Sequence, residues 1–228
     1  MKYALVTGST KGIGRAIAKQ LSQDGYVVLH NGRENQINCE NYIQADLSDI
    51  AGIERLIDGV LQYTDQLDCL VLNVGATCRT AFGDIEYEDW QKVMDTNVNM
   101  PFMLIQGLYR YLAKDGNIVF IGSAMGVKPH ATSIPYGVSK AAINMLAQCL
   151  VREVADKGVR VNVICPGFID TEWQKEKPQW LRDKISEKTA MKRFGTPEEV
   201  ADLCLAICKN TYINGAIISV DGGYDLMF

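Results

Sequence analysis

The sequence predicts an α/β domain in which a parallel, doubly wound sheet is flanked by helices on both faces. Short runs of β-branched and apolar residues alternate with longer segments whose apolar residues recur every three or four positions. This alternation is typical of βαβ units. The 228 residues contain no internal repeat and no linker rich in Pro, Gly or Ser. We therefore expect one domain that spans residues 1–228.

Seven segments have the length and composition of buried parallel strands, so we expect a seven-stranded sheet. The predicted strands are Lys2–Thr7, Val27–Asn31, Tyr42–Gln44, Cys69–Asn73, Asn117–Gly122, Val159–Ile164 and Ala216–Val220. The predicted helices are Gly12–Gln23, Ile50–Tyr63, Glu88–Leu112, Tyr136–Lys157 and Pro197–Cys208. The segment from Arg33 to Asp46 is too short for a full crossover helix and a strand. We expect a turn or loop there, at the outer edge of the sheet.

Charge and hydropathy argue against several classes of function. The formal net charge of -4 leaves no global basic field, so nucleic-acid binding is not expected. No apolar run reaches the roughly 18 residues of a membrane helix, and the segment MKYALVTGST lacks the pattern of a signal peptide. The seven cysteines are scattered without a CxxC pair, which is typical of reduced thiols. We expect a cytoplasmic protein without a metal site, in which Cys204 and Cys208 pack as small core residues.

A glycine-rich turn joins the first strand to the first helix, in the order Thr7-Gly8-Ser9-Thr10-Lys11-Gly12-Ile13-Gly14. Gly8 permits a tight strand-to-helix turn, while Gly12 and Gly14 let the backbone approach a pyrophosphate. The helix N-terminus then faces the anion. A tight turn without a ligand is the alternative. Because the turn follows the first strand, we favour a single Rossmann-like dinucleotide-binding domain.

The end of the second predicted strand bears on the choice of cofactor. Enzymes that use NAD hold the ribose 2′-hydroxyl with an acidic side chain at this point, whereas an arginine suits the 2′-phosphate of NADP. Gly32 occupies the acidic position and Arg33 follows it. Lys11 and Arg15 are possible helpers, so we expect NADP(H) to be preferred over NAD(H). The alternative is a solvated loop charge beside Glu34.

A tyrosine and a lysine are spaced for proton transfer. Tyr136 and Lys140 are four residues apart in a predicted helix, so they face the same way. A neighbouring ammonium group lowers the cost of a phenolate and brings proton transfer by tyrosine into a useful range. Alone, such a pair is common on helices. Its significance depends on Ser123, which follows an apolar strand, and on Asn97.

These motifs together resemble those of the short-chain dehydrogenase/reductase family, and the resemblance covers the whole chain. The glycine spacing is that of the family's TGxxxGxG motif, and the segment Gly122–Gly126 resembles its catalytic-serine segment. The resemblance implies that Ser123 orients the substrate oxygen and that Tyr136 is the general acid or base. Lys140 would bind the nicotinamide ribose and lower the pKa of Tyr136, and Asn97 would complete a water-linked proton relay.

The resemblance also implies a cofactor-binding set beyond the glycine-rich turn. Asp46-Leu47 would meet the adenine ring, and residues 72–75 match the family's NNAG segment in two of four positions. Residues 165–171 resemble its PG motif, with Ile169 and Thr171 toward the nicotinamide carboxamide. The predicted cofactor-binding residues are Gly8, Ser9, Thr10, Lys11, Gly12, Ile13, Gly14, Arg33, Asp46, Leu47, Asn73, Gly75, Tyr136, Lys140, Pro166, Gly167, Ile169 and Thr171.

The substrate is less well defined by the sequence. Segments 193–198 and 221–223 resemble those of 3-oxoacyl-[acyl-carrier-protein] reductases. The resemblance implies docking of an acidic carrier protein on basic residues. Lys114 and Lys157 stand at the corresponding positions. The polar stretch from Glu172 to Phe194, with Trp173 and Trp180, is either a mobile substrate lid or a surface helix. The family commonly forms homotetramers.

Three functions therefore remain open. The first is an NADP(H)-dependent carbonyl reductase or alcohol dehydrogenase, with 3-oxoacyl-thioester reduction as one possibility. The second is an oxidoreductase of another small ketone, sugar, steroid or hydroxy compound. The third is a non-catalytic nucleotide-binding protein, against which the intact set of four catalytic residues argues.

Overall fold

Seven parallel strands form one sheet in the computed structural model, which describes residues 1–34, 39–129 and 133–227. The strands are β1 (Lys2–Val6), β2 (Tyr26–Gly32), β3 (Tyr42–Gln44), β4 (Leu67–Leu72), β5 (Leu112–Ile121), β6 (Arg160–Pro166) and β7 (Ile217–Val220). Their spatial order is β3-β2-β1-β4-β5-β6-β7. The chain therefore winds from the centre to one edge and then to the other, as in doubly wound sheets. The predicted fold class is confirmed.

Helices cover both faces of this sheet, and each face has its own apolar core. The helices are α1 (Gly12–Gln23), α2 (Ile50–Leu61), α3 (Tyr87–Met94), α4 (Met100–Leu108), α5 (Ile134–Glu153), α6 (Glu172–Lys175), α7 (Gln179–Glu187) and α8 (Pro197–Lys209). Buried residues of α1 and α8 pack on one face, and those of α2, α4 and α5 pack on the other. Because both faces are covered, the inner stretches of the central strands, such as residues 4–6, 69–72 and 118–121, are apolar and buried.

The outer edge of the sheet is built differently. β3 is the edge strand, as expected, and no helix occurs in the described residues on either side of 35–38, which lie outside the described part of the chain. His30, Tyr42 and Gln44 lie on the face that α1 covers farther along. The Tyr42 hydroxyl donates to the Glu34 carbonyl, and Gln44 Nε2 donates to the Arg33 carbonyl at 2.9 Å. Polar side chains therefore occupy the β3 edge of the sheet, and they do not need a helix to cover them.

One predicted helix is wrong in its detail. The segment Glu88–Leu112 is divided into α3, a π-helical turn (Asp95–Asn99), α4 and a 3₁₀ turn (Tyr109–Tyr111), and β5 already begins at Leu112. The Met100 N–H bonds to the Asp95 carbonyl, five residues back. Pro101 has no N–H to donate to the Asn97 carbonyl, so the regular α-helical ladder is interrupted here.

Candidate active site

The predicted functional residues meet at the carboxyl ends of β1, β4, β5 and β6. Four segments follow these strands: the glycine-rich turn, residues 73–78, a 3₁₀ turn (Ala124–Gly126) and the segment that begins at Gly167. In doubly wound sheets, ligands bind at the carboxyl ends of the strands. The structure thus brings the two halves of the predicted site, cofactor-binding and catalytic, to one cleft.

The glycine-rich turn passes close to helix α1. A Cβ atom on Gly14 would collide with the Gly8 carbonyl oxygen, so only glycine fits there. Asn31, which is 1% exposed, accepts hydrogen bonds from the N–H groups of Gly8 and Ser9 at 3.3 and 3.0 Å. Its amide also donates to the carbonyls of residues 43 and 45 in the β3 region. Asn31 was not among the predicted site residues, yet it ties the turn to two strands.

The N-terminus of α1 has the properties of an anion site. Lys11 stands at the N-cap and makes no capping hydrogen bond with its side chain, and the first turn contains no acidic residue. The first N–H groups of a helix have no partner within the helix, so here they remain available to a phosphate. Asn73 fixes the turn from the other side, because its Nδ2 donates to the carbonyls of Thr7 and Gly8 at 3.0 and 3.2 Å. These donors fit a pyrophosphate.

The adenosine end of the predicted site is only partly as expected. A Cβ atom on Gly32 would lie 2.6 Å from the Thr10 methyl group and 2.8 Å from the Tyr42 hydroxyl oxygen, so a larger residue here would require these two side chains to move. Arg33 is exposed beside it. The side chain of Leu47 is buried in the core, which leaves only its main chain to meet an adenine ring.

The amide of Asn97 joins the segment after β4 to helix α5. Its Oδ1 accepts from the Ala76 N–H at 2.7 Å, and its Nδ2 donates to the Ala76 carbonyl at 2.9 Å and to Ser139 Oγ at 2.8 Å. The Ser139 hydroxyl in turn donates to the Tyr136 carbonyl at 2.8 Å. Both Asn97 and Ser139 are buried. Ser139 is therefore a further positioning residue, and its place one residue before Lys140 is a sequence signal that could have identified it.

Lys140 is a buried cation at the centre of the site. Its Nζ donates to the Ile121 carbonyl at 2.7 Å and lies 5.5 Å from the centre of the Tyr136 ring. A Cβ atom on Gly75 would lie 3.5 Å from this Nζ, so Gly75 packs close to the ammonium. Burial lowers the pKa of Lys140 to about 8, since desolvation disfavours the charged form.

The pKa of Tyr136 differs in direction from the prediction. Burial raises its pKa, and a hydrogen bond with the Ser123 side chain acts in the opposite direction. The predicted lowering of this pKa by Lys140 is not found in the structure. The ammonium is itself desolvated and directed at the Ile121 carbonyl, so burial of the phenol dominates. The contact with Ser123 does bring the predicted proton donor and the predicted orienting hydroxyl together.

Two further residues line the catalytic pair but were not predicted. Burial raises the pKa of the Cys165 thiol to about 11, so it is an inert neighbour of the site. Asn144 lies one helical turn after Lys140, and its Nδ2 donates to the Gly126 carbonyl at 3.0 Å. This bond fixes the turn that follows Ser123. The i,i+4 spacing from Lys140 is the signal that could have identified Asn144.

The segment after β6 reaches back to the glycine-rich turn. Pro166 pairs with Val220 in the sheet, and the Gly167 N–H donates to the Val220 carbonyl at 3.1 Å. The Thr171 methyl group lies 3.2 Å from where a Cβ atom on Gly12 would be, so these two predicted cofactor residues do meet. The Ile169 side chain is buried, which leaves its main chain to the cleft.

Arg15 has a different partner from the one expected. Its guanidinium lies 3.6 Å from the Glu172 carboxylate, and both side chains are more than half exposed. The pair spans the cleft above the glycine-rich turn. Arg15 is therefore engaged away from Arg33 in this structure.

The predicted carrier-docking lysines lie elsewhere. Lys114 precedes Asn117 in β5, and Lys157 precedes β6, which places both at the amino ends of the strands. The Lys157 Nζ donates to the carbonyls of Tyr109 and Arg110 at 2.8 and 3.0 Å. The Lys157 ammonium thus satisfies main-chain carbonyl groups of the 3₁₀ turn that follows α4.

The structure also bears on membrane spans and metal sites. Within residues 1–34, 39–129 and 133–227, no helix is long and apolar enough to cross a membrane. The same described residues contain no group of three or more His, Cys, Asp or Glu side chains arranged to hold a metal ion.

Comparison with known proteins assigns this fold and site to a class of enzyme. Residues 8–225 match the family model described as enoyl-(acyl carrier protein) reductase. The chain belongs to the short-chain dehydrogenase/reductase family, and it is therefore an oxidoreductase. The resemblance predicted from the sequence motifs is confirmed.

Relatives match along nearly the whole chain. Glucose 1-dehydrogenase 2 of Bacillus subtilis is 34% identical over 245 residues, covering 99% of this chain and 95% of the relative. The 3-oxoacyl-[acyl-carrier-protein] reductase FabG of Aquifex aeolicus is 32% identical, covering 97% and 96%. The solved NADP complex of Pseudomonas aeruginosa RhlG has a TM-score of 0.90 at 31% identity, covering 98% and 96%.

The buried ammonium of Lys140 makes stability depend on pH. Its pKa is about 8 in the folded chain against an ordinary value of 10.5, so the unfolded state binds the proton more tightly between these values. The free energy of unfolding therefore rises with pH across this window. Relative to Lys140→Met, we expect the wild type to gain about 2 to 3 kcal/mol between about pH 7 and about pH 10.

Urea-induced unfolding of the wild type and of Lys140→Met at the two pH values measures this difference. Lys184→Met, which removes an exposed lysine from α7, is the matched control and should follow the wild type. Parallel pH dependences for the wild type and Lys140→Met would contradict a desolvated cation at this position.

Proposed function

We propose that the chain is an NADP(H)-dependent carbonyl reductase or alcohol dehydrogenase with Tyr136 as the general acid or base. The observation that carries this proposal is the convergence of four side chains on one cleft. Tyr136 contacts Ser123, Lys140 lies 5.5 Å from the tyrosine ring, and Asn97 holds the segment opposite them. A protein that only bound a nucleotide would not need this arrangement, which argues against a non-catalytic role.

In this proposal, residues of the chain hold and transfer the proton. Ser123 holds the substrate oxygen, and Tyr136 donates its proton to that oxygen during reduction. The Lys140 ammonium is the cation that would offset the charge of the remaining phenolate, although in the structure burial of the phenol outweighs it. Pro101 cannot donate to the Asn97 carbonyl, and we propose that this oxygen holds a water that returns a proton toward Lys140. Bound NADP(H) would supply or accept the hydride.

The glycine-rich turn, Lys140 and Thr171 would hold the cofactor. The donors at the N-terminus of α1 suit its pyrophosphate, and the ammonium of Lys140 beside Gly75 suits the hydroxyls of the nicotinamide ribose. NADP(H) is favoured over NAD(H) because Gly32 provides no carboxylate to hold the ribose 2′-hydroxyl, as NAD enzymes do. Arg33 is exposed at the same corner and suits a 2′-phosphate.

The substrate is proposed as a carbonyl compound, with a 3-oxoacyl thioester as the first candidate. The relatives support this class without selecting one member, since a glucose dehydrogenase and a 3-oxoacyl-[acyl-carrier-protein] reductase match at 34% and 32% identity. A sugar, steroid or other small ketone therefore remains the second candidate. Carrier-protein docking on Lys114 and Lys157 would use the amino ends of the strands, whereas the catalytic residues lie at the carboxyl ends.

The test of the reaction is NADPH oxidation with acetoacetyl thioesters, diketones, quinones and sugar ketones. We expect Tyr136→Phe to lower turnover by at least about a hundredfold, since general acid catalysis contributes that much, while NADPH binding stays nearly unchanged. Tyr212→Phe is the control, because Tyr212 is 98% exposed. A Tyr136→Phe variant with near-normal turnover would rule out this mechanism.

The choice of cofactor rests on Arg33. We expect Arg33→Ala to reduce the preference for NADPH over NADH about tenfold or more, because a charge-assisted contact to phosphate is lost. The ratio of kcat/KM for the two cofactors measures this preference. Arg55→Ala removes another exposed arginine and should leave the ratio unchanged. An unchanged ratio in Arg33→Ala would refute the 2′-phosphate assignment.

We also propose that the chain forms a homotetramer in the cytoplasm. Ile134, Val138, Met145 and Cys149 are exposed and follow one another along one stripe of α5, and an apolar stripe of this kind is typical of an interface. All seven cysteines are free, as in a reducing compartment.

A charged residue in this stripe should weaken self-association. We expect Met145→Glu to lower the assembly state measured by sedimentation velocity, because it buries a carboxylate in the interface. Ile50→Glu places the same charge at an exposed position on α2 and should have no effect. Identical sedimentation of both variants and the wild type would exclude α5 as an interface.

A further inference from the structure

Helices α6 and α7 form a cover over the cleft, and one contact closes it. The Arg79 guanidinium lies 5.8 Å from the centre of the Trp173 ring. Arg79 belongs to the segment after β4, and Trp173 lies in α6, two residues after Thr171. The contact therefore spans from the catalytic side of the cleft to the side that faces the glycine-rich turn.

Arg79 is held close to the catalytic tyrosine by its neighbours. The Thr77 hydroxyl donates to Ser133 Oγ at 3.2 Å, and Ser133 Oγ donates to the Cys78 carbonyl. Ser133 is the N-cap of α5, whose first turn contains Tyr136. The Arg79–Trp173 contact, which we call the roof, is therefore tied through Ser133 to the first turn of α5.

A second cation stands beside this roof. Lys177 is half-buried between α6 and α7. Its main-chain N–H donates to the Gln174 carbonyl, and the Arg182 guanidinium donates to the same carbonyl. Burial and the neighbouring guanidinium groups of Arg79 and Arg182 lower the pKa of Lys177, while Glu176 acts in the opposite direction. Lys177 is therefore within electrostatic range of both Arg79 and Arg182.

The charges in this cluster are unevenly compensated. Arg182 is paired with the Asp170 carboxylate at 3.0 Å. Among the residues that the structure describes, neither Arg79 nor Lys177 has a carboxylate within ion-pairing distance. Like charges held together with too few counter-charges attract an anion, and more strongly where they are partly desolvated.

The same place also has an unused hydrogen-bonding group. The side-chain oxygen of Gln174 is buried and has no donor in the described part of the chain. Because the two ends of an amide exchange by a half-turn, Gln174 can instead present its NH₂ group to a bound anion. An unsatisfied buried polar atom of this kind indicates a missing partner.

We propose that Arg79 and Lys177 bind an anionic group of the substrate, a carboxylate or a phosphate, at the entrance to the cleft beneath Trp173. This inference deepens the proposed carbonyl reduction and rests on it. The anion is either the carboxylate of a keto acid or a phosphate of a thioester-carrying cofactor. Both are bound by the same paired cations.

The test compares charged and neutral carbonyl probes in NADPH-dependent reduction. Acetoacetate and acetoacetyl-coenzyme A carry the two anions, and ethyl acetoacetate and the acetoacetyl thioester of N-acetylcysteamine are their neutral counterparts. We expect Arg79→Met and Lys177→Met each to lower kcat/KM for a charged probe about tenfold and to leave the neutral probes nearly unchanged. The charged probe that loses activity identifies the source of the anion.

Controls separate charge from packing. Arg79→Lys keeps a cation over Trp173 and should retain most of the preference for the charged probe, and Lys184→Met on α7 should behave as the wild type. Equal losses on charged and neutral probes would overturn the proposal. A matching loss of NADPH affinity would also overturn it, because the cations would then serve the cofactor.

A binding measurement keeps this inference distinct from the reaction. Coenzyme A and acetoacetate are titrated into the chain without NADPH, and tryptophan fluorescence is recorded for the wild type and Arg79→Met. Saturable quenching by one anion that Arg79→Met abolishes supports the site even if no carbonyl is reduced. Quenching by neither anion, or equal quenching of both proteins, would refute it.

Discussion

The hydrogen bonds of the Asn97 amide are the interaction on which the rest of the site depends. One side chain satisfies both main-chain groups of Ala76 and the hydroxyl of Ser139, so it joins the segment after β4 to helix α5. Because these groups are buried, breaking one bond would leave an unsatisfied polar atom at a cost of about 1 to 3 kcal/mol. The geometry around Tyr136 is therefore held by several coupled bonds.

The π-helical turn explains why Asn97 can reach both segments. Pro101 removes one donor from the helix, and the chain adds a residue to the turn at Asp95–Asn99 instead of continuing as one regular helix. Such turns are often found at functional sites. The local irregularity of this helix thus lies where the Asn97 amide joins the segment after β4 to α5.

Burial sets the electrostatics of the catalytic pair. The ammonium of Lys140 and the phenol of Tyr136 are both desolvated, which lowers the pKa of the lysine and raises that of the tyrosine. Each shift disfavours the charged form. Any charge that a cofactor or substrate brings into the cleft changes this balance. The cover formed by α6 and α7 would decide which charges enter.

Much of this architecture follows from local patterns in the sequence. The alternation of apolar strands with amphipathic helices predicts the doubly wound sheet, since each element must bury one face. The turn from Gly8 to Gly14 and the spacing of Tyr136 and Lys140 are also local, so the anion-binding turn and the paired side chains could be predicted. The division of the helix at Asp95–Asn99 has a local cause as well, because Pro101 interrupts the ladder, although the apolar periodicity conceals it.

Other features depend on contacts between residues distant in the chain. Gly32 is closely packed only because Thr10 and Tyr42 lie against it, and Arg15 turns to Glu172 because the segment after β6 folds back over α1. The direction of the Tyr136 pKa depends on how deeply α5 is buried. The sequence determined which chemical groups the chain carries and the order of its elements. Tertiary packing alone decided which of these groups meet and which lose water, because burial and long-range contact are properties of the assembled fold.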